Sequence, residues 1–211
     1  HFSPTKDARD NLIAEGIHPD DILVTGNTGI DTLLQTLRNP PASMVNSRQH
    51  DQIIEKMVAS QGSRAIILVT VHRRENHGKP LGDICRALKK IAESEVRILF
   101  IVHPNPAIRK PVYELLAGVP NLDLIPPLDY GSFTRLLGQA DLILTDSGGI
   151  QEEAPALGKP LLILRNKTER YTSARIESNQ LVGTKPDVII REVEKWLADG
   201  ARRARAVEPS F

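Results

Sequence analysis

The residues best suited to chemistry lie in the stretch Asp146–Glu153, which directly follows the apolar run Leu142–Leu144. The apolar run predicts a buried strand, and the small residues after it predict a tight turn into a helix. Glycines let the backbone approach a phosphate closely, and the free N–H groups of a first helical turn point toward it. The Ser147 hydroxyl adds a donor, and the carboxylates of Glu152 and Glu153 can accept hydrogen bonds from sugar hydroxyls. The pattern indicates a nucleotide-linked ligand. The alternative is a turn in which Ser147 caps the helix and the two carboxylates complement its dipole.

Apolar runs and helical segments alternate through most of the chain. Strands are predicted at Ala65–Val71, Val96–Val102, Leu122–Ile125, Leu142–Leu144 and Leu161–Leu164, with a possible sixth at Gln180–Val182. Helices are predicted at Leu81–Glu93, Ile108–Leu116, Ser132–Ala140, Ile150–Leu157 and Val188–Leu197. Continuous apolar strands that alternate with helices are typical of a parallel sheet covered on both faces. The predicted fold class is therefore α/β, with a doubly wound parallel sheet.

The segment before this region has a different organisation. A helix is predicted at Lys6–Glu15, a short strand at Ile22–Thr25 and a second helix at Ile30–Leu37. The Pro-rich stretch Asn39–Ser43 then interrupts the pattern, and it is the best candidate for a linker.

Each of the first five predicted sheet strands runs into a polar loop. The loops are His72–Asn76, His103–Pro106, Pro126–Tyr130, Ser147–Gly149 and Arg165–Arg170. Ligands of open α/β sheets bind outside the carboxyl ends of the strands, so these loops are expected to converge on one rim. The convergence favours a ligand site more strongly than any single loop does.

Several residues of these loops have both a functional and a structural interpretation. An Arg fork makes bidentate bonds to phosphate oxygens, so His72 beside Arg73 favours a diphosphate, although His72 could also cap a strand. His103 could be an exposed residue of a rigid turn. Phe133 could pack in the core or stack on a base. No metal site is expected, because His72 and His103 lack a compact ligand spacing.

Composition narrows the possible classes of protein. The 211 residues carry a net charge of +1, which favours neither nucleic acid nor a membrane surface. Aromatic residues make up 4%, which is unfavourable for a stacking platform for single-stranded nucleic acid. The single cysteine, Cys85, excludes an internal disulfide, and its helical context predicts a buried thiol. No membrane span or signal peptide is predicted, so a cytoplasmic location is expected.

The motifs together resemble those of the non-hydrolysing UDP-N-acetylglucosamine 2-epimerases. The matching segments are His1–Thr5, Val24–Thr28, Val71–Asn76, Val102–Pro106, Pro127–Tyr130, Thr145–Pro155 and Gly158–Pro160. The resemblance implies two Rossmann-like domains in the glycosyltransferase-B arrangement, with the substrate in the cleft between them. Residues 1–38 would then be the end of the N-terminal domain and the crossover, and residues 39–211 the C-terminal, UDP-binding domain.

The family interconverts UDP-N-acetylglucosamine and UDP-N-acetylmannosamine by elimination and re-addition of UDP. The resemblance implies that His72 and Arg73 are catalytic and face the departing diphosphate, with His103 beside them. It implies that the phosphates are held by Ser147, Gly148 and Gly149, the ribose by Glu153 and the uracil in part by Phe133. The whole protein is expected to be a homodimeric isomerase of cell-envelope polysaccharide biosynthesis that needs no cofactor.

The family's acidic residues that handle the C2 proton lie mostly in the N-terminal domain, so this chain alone is expected to be inactive. The sequence departs from the family pattern at Tyr171–Ala174, where a Pro and a second Glu are absent. This change affects a loop expected to lie near the sugar. Two alternatives to the epimerase remain: a nucleotide-sugar glycosyltransferase, and a module that binds a UDP-sugar without turnover.

Overall fold

A computed structural model describes residues 1–39, 64–168 and 179–199. The chain divides into two compact units, His1–Pro40 and Pro41–Phe211. Most of the predicted linker Asn39–Ser43 and all of the altered segment Tyr171–Ala174 lie outside the described residues.

The first unit contains a two-stranded parallel sheet and two helices. Strand β1 (Phe2–Ser3) pairs with β2 (Leu23–Val24), and the helices are α1 (Lys6–Ala14) and α2 (Thr28–Arg38). The Asn27 Oδ1 accepts a hydrogen bond of 2.8 Å from the Gly29 N–H, which caps α2 and starts it two residues earlier than its first apolar residue suggests. Both predicted helices and the predicted strand are confirmed. Strand β1 was missed, because two residues are too few to show a strand period.

The second unit is built on a six-stranded sheet in which every strand pair is parallel. Its strands are β3 (Ala65–Val71), β4 (Val96–Val102), β5 (Leu122–Ile125), β6 (Leu142–Thr145), β7 (Leu161–Ile163) and β8 (Asn179–Leu181). Its helices are α3 (Lys79–Ile91), α4 (Pro106–Leu116), α5 (Tyr130–Gln139), α6 (Ile150–Ala156) and α7 (Pro186–Ala198). The spatial order of the strands is β5-β4-β3-β6-β7-β8.

Helices cover both faces of this sheet, which explains the unbroken apolar strands. All seven residues of β3 are buried. Alternate β3 residues, such as Ile67 and Val69, join one core cluster with Leu88 of α3 and Trp196 of α7. Helix α5 packs on β3, and α6 packs on β6 and β7. The predicted doubly wound parallel sheet is confirmed.

Cys85 lies in α3 with 1% of its surface exposed. Burial raises the pKa of its thiol to about 12, and the nearby Arg86 only partly opposes that shift. The prediction of a buried thiol is confirmed. Within the described part of the chain, no helix is long and apolar enough to cross a membrane.

Candidate functional site

The order of the strands brings two of the predicted loops side by side. Strand β3 has β4 on one side and β6 on the other, although β4 and β5 both precede β6 in the sequence. Strands β4 and β5 therefore lie on one side of β3, and the strands from β6 onward lie on its other side. Such a switch point opens a crevice at the carboxyl ends of the two strands. The loop that begins at His72 and the loop Ser147–Gly149 both leave the sheet there.

A buried carboxylate joins these two loops. Asp146 is fully buried and accepts hydrogen bonds from the backbone N–H of His72 at 3.0 Å and 3.1 Å and from that of Arg73 at 2.9 Å. It also accepts a bond of 2.8 Å from the side-chain amide of Asn76. Burial opposes the charge of the carboxyl, but the bonds from His72, Arg73 and Asn76 outweigh that effect and hold its pKa below the usual value.

Asn76 extends this junction to a third strand end. It lies in a single 3-10 turn, Arg74–Asn76, and only 2% of it is exposed. Its Nδ2 donates to Asp146 and also, at 3.1 Å, to the carbonyl of Leu164, which follows β7. The carboxyl ends of β3, β6 and β7 are therefore joined through one amide group.

His72 and His103 lie together at this rim. Their ring centroids are 5.9 Å apart and the rings are inclined by 28°, so they are stacked. The Nδ1 of His72 lies 3.2 Å from the Asp146 carboxylate, and 37% of the His72 side chain is exposed. His103 is exposed, and its Nδ1 accepts a bond of 3.2 Å from the Asn105 N–H. The ends of β3 and β4 thus present two imidazoles to one region of solvent.

The loop Ser147–Gly149 presents backbone donors to the same edge of the sheet. Helix α6 begins at Ile150 with Gly149 as its N-cap, and no side chain caps it. The alternative in which Ser147 caps the helix is therefore wrong. Within the described residues, the N–H groups of Gly148, Gly149 and Ile150 have no hydrogen-bond acceptor. These are the free donors that the sequence predicted.

Neither the backbone conformation nor any close contact among the described residues requires a glycine at position 149. Its φ is −64° and its ψ is −48°, which any residue can adopt. A Cβ placed there would meet only the Ser147 Oγ, at 3.9 Å. Gly149 is also exposed. Its lack of a side chain therefore fits the close approach of a ligand from outside.

Two threonines and a glutamine fix this loop from behind. The Thr145 Oγ1 accepts a bond of 3.0 Å from the Ser147 N–H and lies 2.6 Å from the Thr70 Oγ1. The buried Gln151 donates from Nε2 to the Ser147 carbonyl at 3.2 Å and accepts from the Thr168 hydroxyl at 2.5 Å. The loop is therefore held by the sheet on one side and by the segment after β7 on the other.

Glu153 and Phe133 lie in the first turns of neighbouring helices. Burial, and after it the charge of Glu152, raises the pKa of the half-buried Glu153 carboxyl. Burial and then the Glu153 charge raise the pKa of Tyr130, the first residue of α5. Phe133 is partly buried in the first turn of α5 and is not part of the core cluster.

Sequence reasoning placed four further residues in the motifs of this site but assigned no role to them: Asn76, Thr145, Asp146 and Gln151. Their roles depend on partners far away in the sequence; the bonds of Asp146, for example, span 70 to 74 residues. One local signal was available for Asp146. An acidic residue directly after a buried strand is well placed to accept bonds from the N–H groups that leave the neighbouring strand.

The chemistry of the rim is that of an anion site with a carboxylate nearby. Imidazole, guanidinium and free backbone N–H groups are donors suited to phosphate oxygens. A desolvated carboxylate such as that of Glu153 readily accepts bonds from hydroxyl groups. The described residues contain no group of three or more His, Cys, Asp or Glu side chains that could hold a metal ion.

Comparison with known proteins identifies the family. The family model described as UDP-N-acetylglucosamine 2-epimerase matches residues 1–210. A probable UDP-N-acetylglucosamine 2-epimerase of Ralstonia nicotianae is 44% identical over 201 residues, which are 94% of this chain and 53% of that protein. The chain thus spans about half the length of the curated relatives it matches.

Solved structures agree with this result. The UDP-GlcNAc 2-epimerase of Neisseria meningitidis bound to UDP-GlcNAc superposes with a TM-score of 0.89 at 36% identity, covering 100% of this chain and 56% of that one. The wall teichoic acid polymerase TagF, a glycosyltransferase of the B type, has a TM-score of 0.52 at 15% identity, covering 98% of this chain and 51% of that one. At this identity the likeness shows the fold alone. The predicted Rossmann-like, glycosyltransferase-B-type fold is confirmed, and the chain belongs to the UDP-N-acetylglucosamine 2-epimerase family.

Proposed function

We propose that this chain is the UDP-binding portion of an isomerase that interconverts UDP-N-acetylglucosamine and UDP-N-acetylmannosamine. The observation that carries the proposal is the convergence of donors at the switch point between β3 and β6. The free N–H groups of Gly148, Gly149 and Ile150 lie on one side of the crevice, and the His72 loop lies on the other. A diphosphate matches this arrangement because it offers several acceptor oxygens and a negative charge.

The site residues receive the following roles. The phosphates lie against Ser147–Gly149, where Gly149 leaves room for their approach. The ribose hydroxyls donate to the Glu153 carboxylate, since a nucleotide that extends from the phosphates along α6 reaches the first turn of that helix. Phe133, partly exposed in the first turn of α5, provides an apolar surface for the uracil ring.

The reaction proceeds by elimination and re-addition. The C2 proton of the sugar and the UDP leave together, so the bond between C1 and the diphosphate oxygen breaks and a C1–C2 double bond forms. The diphosphate gains negative charge in this step. His72 and Arg73 stabilise that charge, which is greater in the transition state than in the substrate. UDP then adds back to C1 while C2 is protonated on the opposite face.

The groups that move the C2 proton are proposed to lie outside this chain, in a preceding domain. Residues 1–38 form the end of that domain and the crossover in this proposal, and residues 39–211 form the UDP-binding domain. The chain is therefore expected to bind UDP without catalysing epimerisation. Turnover by the purified 211-residue chain would contradict this division of roles.

Calorimetry with UDP and the 211-residue chain tests the binding site. Ser147→Ala removes one hydrogen bond to a charged partner, so its UDP affinity should fall by about 1.5–3 kcal/mol. Ser94→Ala is the matched control, because Ser94 is an exposed serine that precedes β4 at the opposite end of the sheet. An unchanged affinity in Ser147→Ala would remove the support for a phosphate at this loop.

Kinetics of the whole protein test the reaction. Arg73→Gln should lower kcat at least as much as it raises KM, because the charge that Arg73 stabilises grows toward the transition state. Deuterium from solvent should enter C2 of the sugar during turnover. Transfer of the sugar without exchange at C2 would instead identify a glycosyltransferase, and tight binding with neither would identify a binding module.

A further inference from the structure

We propose that Asp146 is a positioning residue for this site, which orients His72 by fixing its proton on Nδ1 and leaving Nε2 for the ligand. The inference about His72 follows from hydrogen bonding alone. The identity of the ligand as UDP rests on the proposed function.

Asp146 carries a negative charge at neutral pH. Three donors face it: the backbone N–H groups of His72 and Arg73 and the Asn76 Nδ2, whose second bond to the Leu164 carbonyl fixes the orientation of that amide. A protonated carboxyl would direct its own O–H donor at one of these three donors. Because these bonds outweigh the effect of burial on the pKa of Asp146, the group is ionised at neutral pH and acts only as an acceptor.

The Asp146 carboxylate sets both the tautomer and the orientation of the His72 imidazole. The His72 Nδ1 lies 3.2 Å from the Asp146 Oδ1, which is a carboxylate oxygen without a proton to give. A bond between these atoms therefore needs the proton on Nδ1. A ring flip would replace Nδ1 by the Cδ2 carbon and lose the bond, so the ring has one favoured orientation. The Nε2, on the opposite edge of the ring, remains for a ligand.

Asp146 also holds the backbone of the His72 loop. The Asp146 Oδ2 accepts from the Arg73 N–H at 2.9 Å and from the Asn76 Nδ2 at 2.8 Å. These bonds fix the backbone from which the Arg73 side chain extends. Asp146 directly precedes Ser147, so the same residue also sets where the glycine loop begins. One carboxylate thus sets the distance between the two sides of the proposed diphosphate site.

The substitution Asp146→Asn gives a specific test, because it changes one acceptor atom into a donor while keeping the shape. An NH₂ group at the Oδ2 position would face the donors of both Arg73 and Asn76. At the Oδ1 position it would face the His72 N–H, which keeps its contact of 3.1 Å with the remaining oxygen, and the His72 Nδ1. Asparagine should therefore place its NH₂ toward His72, and the neutral imidazole should move its proton to Nε2.

The matched control is Asp141→Asn. Asp141 precedes β6 as Asp146 follows it, and its Oδ2 accepts a bond of 2.8 Å from the Ile66 N–H of β3. The two aspartates therefore join the same pair of strands at opposite ends. Only Asp146 contacts the proposed site, so Asp141→Asn should leave both His72 and UDP binding unchanged.

The experiment is nitrogen NMR of the 211-residue chain labelled with ¹⁵N-histidine, with the His72 signals assigned from a His72→Gln spectrum. We expect neutral His72 to carry its proton on Nδ1 in the parent chain and in Asp141→Asn, and on Nε2 in Asp146→Asn. UDP affinity measured by calorimetry should fall about tenfold or more in Asp146→Asn only, because the charge-assisted bonds that hold the His72 loop are lost.

A proton on Nε2 of neutral His72 in the parent chain would overturn the proposal, and this measurement decides the matter even if Asp146→Asn fails to fold. A folded Asp146→Asn chain with the parent's tautomer and UDP affinity would overturn it as well. If the parent chain has the expected tautomer but does not bind UDP, the proposed function fails and the orientation of His72 by Asp146 stands.

Discussion

A pair of buried threonines behind the site allows stability and ligand binding to be separated. Thr70 of β3 and Thr145 of β6 are directly opposite each other in the paired strands, with their hydroxyl oxygens 2.6 Å apart. The Thr145 hydroxyl also accepts from the Ser147 N–H at 3.0 Å. Among the residues that the structure describes, the Thr70 hydroxyl has no second contact of this kind. We expect valine, which keeps the shape of threonine without its hydroxyl, to have different effects at the two positions.

The expected costs follow from the groups left without a partner. Thr145→Val leaves both the Thr70 hydroxyl and the Ser147 N–H unpaired, so the free energy of unfolding should fall by about 2–3 kcal/mol. Thr70→Val leaves Thr145 bonded to Ser147, so the loss should be about 1 kcal/mol. In the double variant only the Ser147 N–H is unpaired. The loss of unfolding free energy in the double variant should therefore be about 2 kcal/mol smaller than the sum of the two single losses.

Urea unfolding of the 211-residue chain measures these costs, with the fluorescence of the single tryptophan, the buried Trp196, as the signal. Calorimetry with UDP measures the function of the loop. Thr145→Val should weaken UDP binding about tenfold, because Ser147 loses the bond that holds its backbone. Thr70→Val should leave UDP binding unchanged.

Two results would refute this reasoning. If the costs of the two single variants simply add in the double variant, the hydroxyls do not interact. If Thr70→Val weakens UDP binding as much as Thr145→Val does, the Ser147 loop responds to the sheet as a whole and not to the Thr145 hydroxyl.

Three further outcomes are expected. Burial raises the pKa of Glu153, so the ionised carboxylate destabilises the fold at a pH above that pKa. Glu153→Gln should therefore raise the Tm near pH 7 but not near pH 4, where the parent carboxyl is protonated. The same variant should weaken UDP binding. Cys85, with a pKa of about 12, should resist iodoacetamide in the native chain and react over the same urea range in which the chain unfolds. Gly183→Ala should lower the free energy of unfolding more than Gly118→Ala does. Both glycines have positive φ, but of the two only Gly183 would bring a Cβ against another atom, the Asn166 Oδ1 at 2.9 Å. Urea unfolding of both variants checks this.

The sheet could be predicted from the sequence because its strands are buried on both faces. An unbroken apolar run such as Ala65–Val71, in a chain of this composition, is best accommodated as a strand that is covered on both faces. Its predicted bounds match β3. Helix starts were predicted less well, since several helices begin two residues before their first apolar residue. Side-chain caps set some of the first turns, such as the Asp129 Oδ1 that accepts from the Ser132 N–H at 3.0 Å at the start of α5.

The site could be predicted only in part. Its location followed from the rule that ligands bind at the carboxyl ends of parallel strands, and the resemblance supplied roles for residues such as Ser147 and Glu153. The interaction between the loops could not be predicted, because the sequence does not state which strand pairs with β3 on each side. Until β3 and β6 are known to be adjacent, the hydrogen-bond partners of Asp146 cannot be named.

The adjacency of β3 and β6 also affects the stage of folding at which the UDP site forms. The contacts of Asp146 with the His72 loop, and of Thr145 with Thr70, span 70 to 75 residues, while the pairing of β3 with β4 needs only the intervening helix α3. During synthesis, β3 and β4 can therefore pair before β6 has been made. One edge of β3 then remains open, and an open apolar edge invites pairing with other chains. Because long loops close slowly, we expect the ability to bind UDP to appear late in refolding, when β6 covers that edge.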